Sequence, residues 1–158
     1  MASGARIRRF GAAHGLGLAL LLTVLASPLA HAQLLADVTL SAAIATEFDP
    51  SLHLPSGSLR AVGSGTEALI ARVSDKERWS GWEVYAARGL AAGLQNDYVH
   101  QVATAFALDG YFESGSRTTT VGPETRTRIV FQGADGGERL LYVIRTSQEV
   151  VWLTAHSN

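Results

Sequence analysis

The amino-acid sequence predicts an α+β fold: an antiparallel sheet with a C-terminal four-strand meander packed on one main helix. Two patterns predict it. Val99, Val102, Ala103, Phe106 and Ala107 recur at three-and-four spacing, as on one face of a helix, and four stretches of strand-like composition separated by short turns follow them. A third observation bounds the architecture. The chain has no cysteine, so no disulfide supplements its hydrophobic core.

The first 32 residues have the three parts of an export signal. Arg6, Arg8 and Arg9 give a basic start with no acidic residue, and Leu16 to Ala26 is an apolar core. That core falls short of the roughly 20 residues of a stable membrane-spanning helix. Pro28 then ends any helix, and Ala30 and Ala32 place small side chains where a signal peptidase needs them, which predicts cleavage before Gln33. The Arg8-Arg9 pair does not by itself specify export of a folded protein, so unfolded export is expected. With no cysteine to acylate, a lipoprotein is excluded. The expected organisation is a signal peptide over 1–32, a lead-in segment over 33–57 and a single α+β domain over 58–158, with no membrane span after signal cleavage.

In the lead-in, Leu34 to Ala45 is mostly apolar and small, and Asp49-Pro50, Leu54-Pro55 and Ser56-Gly57 are turn chemistry. Leu59 to Val62, a Gly63-Ser64-Gly65 turn and Ala68 to Val73 read as a hairpin. Trp82 to Ala87 alternates and reads as a strand, with helix as the alternative. The main helix is expected to start near Asn96 or Asp97, either of which can cap exposed backbone donors, and to stop at Asp109-Gly110. The meander follows as Arg117–Val121, Thr125–Gln132, Arg139–Arg145 and Glu149–Thr154. Pairing Arg145 with Glu149 sets Val143 opposite Val151 and Leu141 opposite Leu153 on one face, and Tyr142 opposite Trp152 and Ile144 opposite Val150 on the other. Both faces are apolar, so both need a cover. The helix supplies one, and the N-terminal segment, a partner or a ligand supplies the other.

This order of elements resembles the PsbP-type α+β domain over roughly residues 57 to 155, with Val121-Gly122-Pro123-Glu124-Thr125 leading into an alternating strand and Val150-Val151-Trp152-Leu153 near the end. That superfamily includes extrinsic photosystem subunits and exported proteins. The resemblance implies a non-catalytic accessory or binding module and carries over no site residues.

Charge argues against a nucleic-acid partner. The whole chain has net charge −1, and losing the three signal arginines makes the mature chain more acidic, whereas affinity for phosphate backbone comes from clustered cations. No phosphate loop is present: Gly63-Ser64-Gly65 lacks the lysine and following helix of a nucleotide cradle. There is no Gly-x-Ser-x-Gly elbow, and Glu113-Ser114-Gly115-Ser116 reads as a turn. Asp97 and His100 sit three apart on one helix face, which supplies half a metal site or a carboxylate that orients an imidazole; further zinc ligands are not spaced to complete it. His53 and His156 lie far away in sequence. Arg126 and Arg128 share one strand face and suit an anionic ligand, or else keep that face wet. Trp79, beside the Ser80-Gly81 turn, is a candidate stacking platform, with core burial favoured for Trp82.

The expectation is an exported, non-catalytic binding or accessory module of the cell envelope, whose partner is an unidentified small molecule or envelope protein and which uses no cofactor. The candidate ligand-binding residues are Arg126, Arg128 and Trp79. The alternative is an envelope hydrolase in which His100 and Asp97 act with a serine brought near by the fold.

Overall fold

A computed structural model describes residues 34–158; the expected signal peptide and Gln33 lie outside the described residues. Two short strands open the chain, β1 (Thr39–Ala42) and β2 (Leu59–Val62), followed by a short helix α1 (Gly65–Ile70), a 3-10 turn (Lys76–Arg78) and β3 (Trp79–Arg88). The long helix α2 (Ala92–Leu108) leads into β4 (Phe112–Val121), β5 (Glu124–Gln132), β6 (Glu138–Arg145) and β7 (Glu149–Ser157). The seven strands form one antiparallel sheet in the order β1-β2-β3-β7-β6-β5-β4.

This corrects the expected α+β class. Of the described residues, 45% are strand and 21% helix, so the fold is mainly β, with one long helix among them lying on a continuous sheet. The meander does not form a separate layer because β7 pairs with β3 from Trp79↔Ser157 to Arg88↔Glu149, which joins it to the N-terminal strands. A second difference lies at Gly65–Ile70, expected within a hairpin and found as α1. A short apolar run such as Ala68-Leu69-Ile70 has no period long enough to separate strand from helix. Here α1 buries Leu69, and Gly65 packs so tightly that a Cβ would lie 1.9 Å from the Ala36 carbonyl oxygen.

The start of α2 precedes the expected Asn96 or Asp97; Ala91 is its N-cap and makes no side-chain cap bond. Its end follows the sequence signal. Gly110 takes φ 91°, the Gly110 N–H donates to the Ala107 carbonyl and the Tyr111 N–H to the Phe106 carbonyl, the paired bonds of a Schellman cap. The Tyr111 ring meets the Phe106 ring edge-on, the apolar contact that accompanies this cap.

The β6–β7 register is one residue off the expected one. Thr146 and Glu149 close the turn, with the Thr146 N–H donating to the Glu149 carbonyl, so Val143 faces Trp152, Tyr142 faces Leu153 and Ile144 faces Val151. A one-residue slip exchanges the faces of a whole strand. Trp152, Leu141 and Val143 consequently lie beneath α2, where Phe106 is fully buried and stacked 4.8 Å from Phe131. The opposite face buries Val84, Ala86, Leu140, Ile144, Val151 and Leu153 under Leu34, Leu35, Leu69, Val73 and Trp79. The chain itself therefore covers both faces, and the segment expected as a lead-in belongs to the fold: β1 pairs with β2, and Leu52 is buried in the core beneath α2.

Candidate functional site

Residues 43–58, linking β1 to β2, form a strap that lies beside α2 on the same face of the sheet. Its own hydrogen bonds fold it back as a ribbon: the Thr46 N–H donates to the Leu52 carbonyl, the Leu54 N–H to the Ile44 carbonyl, and Ala45 bridges His53. Leu52 anchors it by burial. Polar groups of the sheet hold the rest. Glu83, buried on β3, accepts from the backbone N–H groups of Glu47 at 2.8 Å and Phe48 at 3.0 Å. Arg139, buried on β6, reaches Asp49 at 3.0 Å and the Tyr111 hydroxyl at 3.1 Å, with its guanidinium over the Phe48 and Tyr111 rings. Irregular backbone brings polar N–H groups to an otherwise apolar sheet face, and buried polar side chains are needed to satisfy them.

Strap and helix enclose a cleft of about 560 Å³. Leu54, Pro55, Ala105 and Leu108 give it apolar walls, and His53, His100, Gln101 and Thr104 place polar groups along them. Leu108, the last residue of α2, is 85% exposed at the rim of the cleft. At one end the Ser51 hydroxyl lies 2.6 Å from Asp49 Oδ1 and 2.5 Å from Asp109 Oδ1, bridging the strap to the end of α2. The Ser51 hydroxyl, against the opposing effect of burial and with help from Arg139, holds the Asp49 carboxyl below its ordinary range. Beyond this bridge a second cleft of about 410 Å³ is lined by Asp49, Asp109, Tyr111 and Asp135. Deeper in, the Tyr98 hydroxyl is 2.8 Å from Ser58 Oγ and accepts from Trp152 Nε1 at 3.0 Å; burial raises its pKa.

The sequence candidates fall in two places. Arg128 and Trp79 meet on the face opposite α2, the guanidinium 5.6 Å from the ring centroid, and both donate to Asp75: Arg128 at 2.6 Å and Trp79 Nε1 at 3.2 Å. Arg126 pairs with Glu124 at 2.7 Å, and Arg72 reaches the other oxygen of that carboxylate. The ring of Trp79 is buried. The chain's own carboxylates thus occupy the donors that an anionic ligand would use. On α2, His100 lines the main cleft, whereas Asp97 is exposed and is not among the lining residues. The fold does bring a serine, Ser51, to the cleft that holds His100, but its hydroxyl is turned to carboxylates. His53 and His100, separate in sequence, line one cleft, a meeting that depends on the strap and has no local sequence signal. Among the described residues no group of three or more metal-ligating side chains converges, and no helix is long and apolar enough to cross a membrane.

Comparison of the chain with family models, curated proteins and solved structures finds no match.

Proposed function

We propose that this chain is an exported binding module of the cell envelope, and that its ligand is a small amphiphile held between the strap and α2. The cleft carries the reading. Its volume lies in the range of small-molecule sites, and its apolar walls with a few polar groups are the composition such sites use. The apolar body of the ligand lies against Leu54, Pro55, Ala105 and Leu108, and its polar end meets His53, His100 and Gln101. The cleft binds without chemistry, because the serine hydroxyl that reaches it is bonded to Asp49 and Asp109 and no imidazole is bonded to it.

The test uses 8-anilinonaphthalene-1-sulfonate as fluorescent probe and alkyl carboxylates as competitors. The folded chain should enhance the probe's fluorescence, and dodecanoate should displace it. Thr104→Trp, which fills the cleft from an exposed position on α2, should weaken probe binding at least about tenfold while leaving the circular dichroism spectrum unchanged. Equal binding by the two proteins would place the probe elsewhere and show that the cleft is not its site.

A further inference from the structure

Under the strap, at the junction of β3 and β7, lies a second constellation that does not depend on the cleft. Ser80 and His156 are register partners, and the Ser80 hydroxyl is 3.1 Å from His156 Nε2. The ladder is distorted here. Gly81 and Trp82 together stand opposite Ala155, and Gly81 takes φ 62°, as in a bulge that begins on a left-handed glycine. A Cβ at Gly81 would come within 2.2 Å of His156 Cε1, so only glycine leaves room for the ring. Phe48 stacks on the imidazole at 4.2 Å. The ring is therefore held at one edge, on one face and at Nε2, while Nδ1 is buried without a hydrogen-bond partner.

Glu83 completes the set. It pairs with Thr154, two residues from His156 on β7, so the period-two alternation puts Glu83 and His156 on one face of the sheet. The side chain is 6% exposed; Oε1 holds the strap, and Oε2 is buried without a partner. An acceptor oxygen and a nitrogen able to carry a proton are thus both unsatisfied on the same face, and buried polar groups of this kind call for an explanation. Arg139 on β6, Arg60 on β2, and Glu47 and Asp49 on the strap are the other charged groups around them.

We propose that Ser80 and His156 are a nucleophile and base for hydrolysis of small carboxylic esters, with Glu83 as a positioning residue and Phe48 as a cover. His156 Nε2 takes the hydroxyl proton as Ser80 Oγ bonds to the ester carbonyl carbon. The bond to the leaving alkoxide breaks, and the proton on Nε2 passes to it, giving an alcohol and acyl-Ser80. Water then attacks the acyl carbon, gives its proton to Nε2 and displaces Ser80 Oγ, which recovers that proton as the carboxylic acid leaves. Glu83 acts through the ring as a buried carboxylate on the same sheet face, without a hydrogen bond to it: its charge favours the imidazolium formed when Nε2 takes the proton.

The absence of cysteine makes the test specific, because Ser80→Cys carries the only thiol. Its alkylation by iodoacetamide is followed from pH 5 to 9 in the full chain. With His156 as base the thiolate persists well below the ordinary thiol pKa of about 8.5, so alkylation at pH 6 should exceed that of the same variant in urea at least tenfold, on the order expected for an imidazole-paired thiol. Phe48→Ala should raise the rate further, and Glu83→Gln should move the profile toward that of an ordinary thiol. A fluorophosphonate should label Ser80 in the unsubstituted chain and should fail to label His156→Gln. A Ser80→Cys thiol that titrates as an ordinary thiol, both with and without Phe48→Ala, overturns the proposal. Fluorophosphonate labelling that survives His156→Gln overturns it as well; if His156→Gln does not fold, the Ser80→Cys profile alone decides.

Discussion

The two faces of the sheet are closed by different kinds of cover. Opposite α2, the cover is Leu34-Leu35, the short helix α1 and the stretch through Val73 to Trp79, and it meets the sheet with apolar side chains. Ion pairs such as Arg128–Asp75 and Arg72–Glu124 lie at that cover's margin and remain partly exposed. On the α2 face, a helix and an irregular strap share the work. A helix satisfies its own backbone, but a strap does not, so Glu83 and Arg139 are drawn onto an otherwise apolar face to bind it. The seam between two covers of unlike shape also leaves a concave surface. Both clefts, with His53, His100 and His156 and the unpartnered atoms Glu83 Oε2 and His156 Nδ1, lie on this face, whereas Asp75 Oδ1 is left without a partner on the other.

The largest effect expected on either face is that of Phe106→Ala. Phe106 is fully buried between Phe131 and Tyr111, and its truncation should cost about 3 to 5 kcal/mol in urea unfolding. A mild result would mean that α2 is not the principal cover of its face. Next come Leu52→Ala in the strap and Leu69→Ala in α1, two leucines each 1% exposed and each expected to cost about 2 to 4 kcal/mol. Their local consequences should differ: Leu52→Ala should speed amide exchange at Thr46 and Leu54 and weaken probe binding in the cleft, whereas Leu69→Ala should leave both unchanged. Equal effects on the cleft would erase the contrast between the two faces.

Acid should act on both faces, by a smaller amount. Burial opposes ionisation of Asp75, but the hydrogen bonds from Arg128 and Trp79 outweigh it; for Glu124, those from Arg126 and Arg72 do the same, and both pKa values are lowered. A carboxylate whose pKa is lower in the folded state contributes stability that is present above its unfolded value and lost as pH falls through its folded value. Urea midpoints should hold steady above the ordinary values of 4.5 for Glu and 3.8 for Asp and decline below them. In the double variant Asp75→Asn, Glu124→Gln that decline should flatten. Asp49, also lowered, should make strap amides exchange faster over the same acid range. The smallest effects are those of the meander arginines. Arg128→Ala should cost less than about 1 kcal/mol, because its pair with Asp75 is partly exposed, and Arg117→Ala on the exposed strand β4 should cost less than about 0.5 kcal/mol. An Arg128→Ala as severe as Phe106→Ala would show that the margin opposite α2 is part of its core.

Elements with a sustained local period were legible in the sequence. The three-and-four pattern around Phe106, the Asp109-Gly110 stop and the order of the four meander strands are read from neighbours a few residues apart and are present in the structure, but β4 begins at Phe112, so Glu113–Ser116, expected as a turn, is strand paired with β5 across an irregularity between Glu113 and Gly115. Where the deciding contact is distant, sequence patterning had no purchase. Gly65, the first residue of α1, packs against the backbone at Ala36, 29 residues earlier, and the β6–β7 register rests on which residue closes the turn at Thr146. The fold class itself depended on the β3–β7 pairing, which no local pattern announces. The site was less legible still. Arg126, Arg128 and Trp79 are expected from the sequence as ligand-binding residues, but Asp75, which accepts from both Arg128 and Trp79, stands 53 residues before Arg128 and has no local signal. His53 and His100 line one cleft, and Ser80 meets His156, only because the chain folds back on itself.

The position of β7 has a consequence for the order in which the molecule assembles. The most C-terminal strand lies in the interior of the sheet, between β3 and β6, so β1 to β3 have no route to β4 to β6 until it arrives. Ser80 and His156 are 76 residues apart, and closing so long a loop costs entropy before any contact repays it. A chain emerging from a ribosome or a translocation pore holds two incomplete half-sheets until residues 149–157 are free. The sheet is complete only once residues 149–157 pair with both halves, which makes β7 the trigger for assembly.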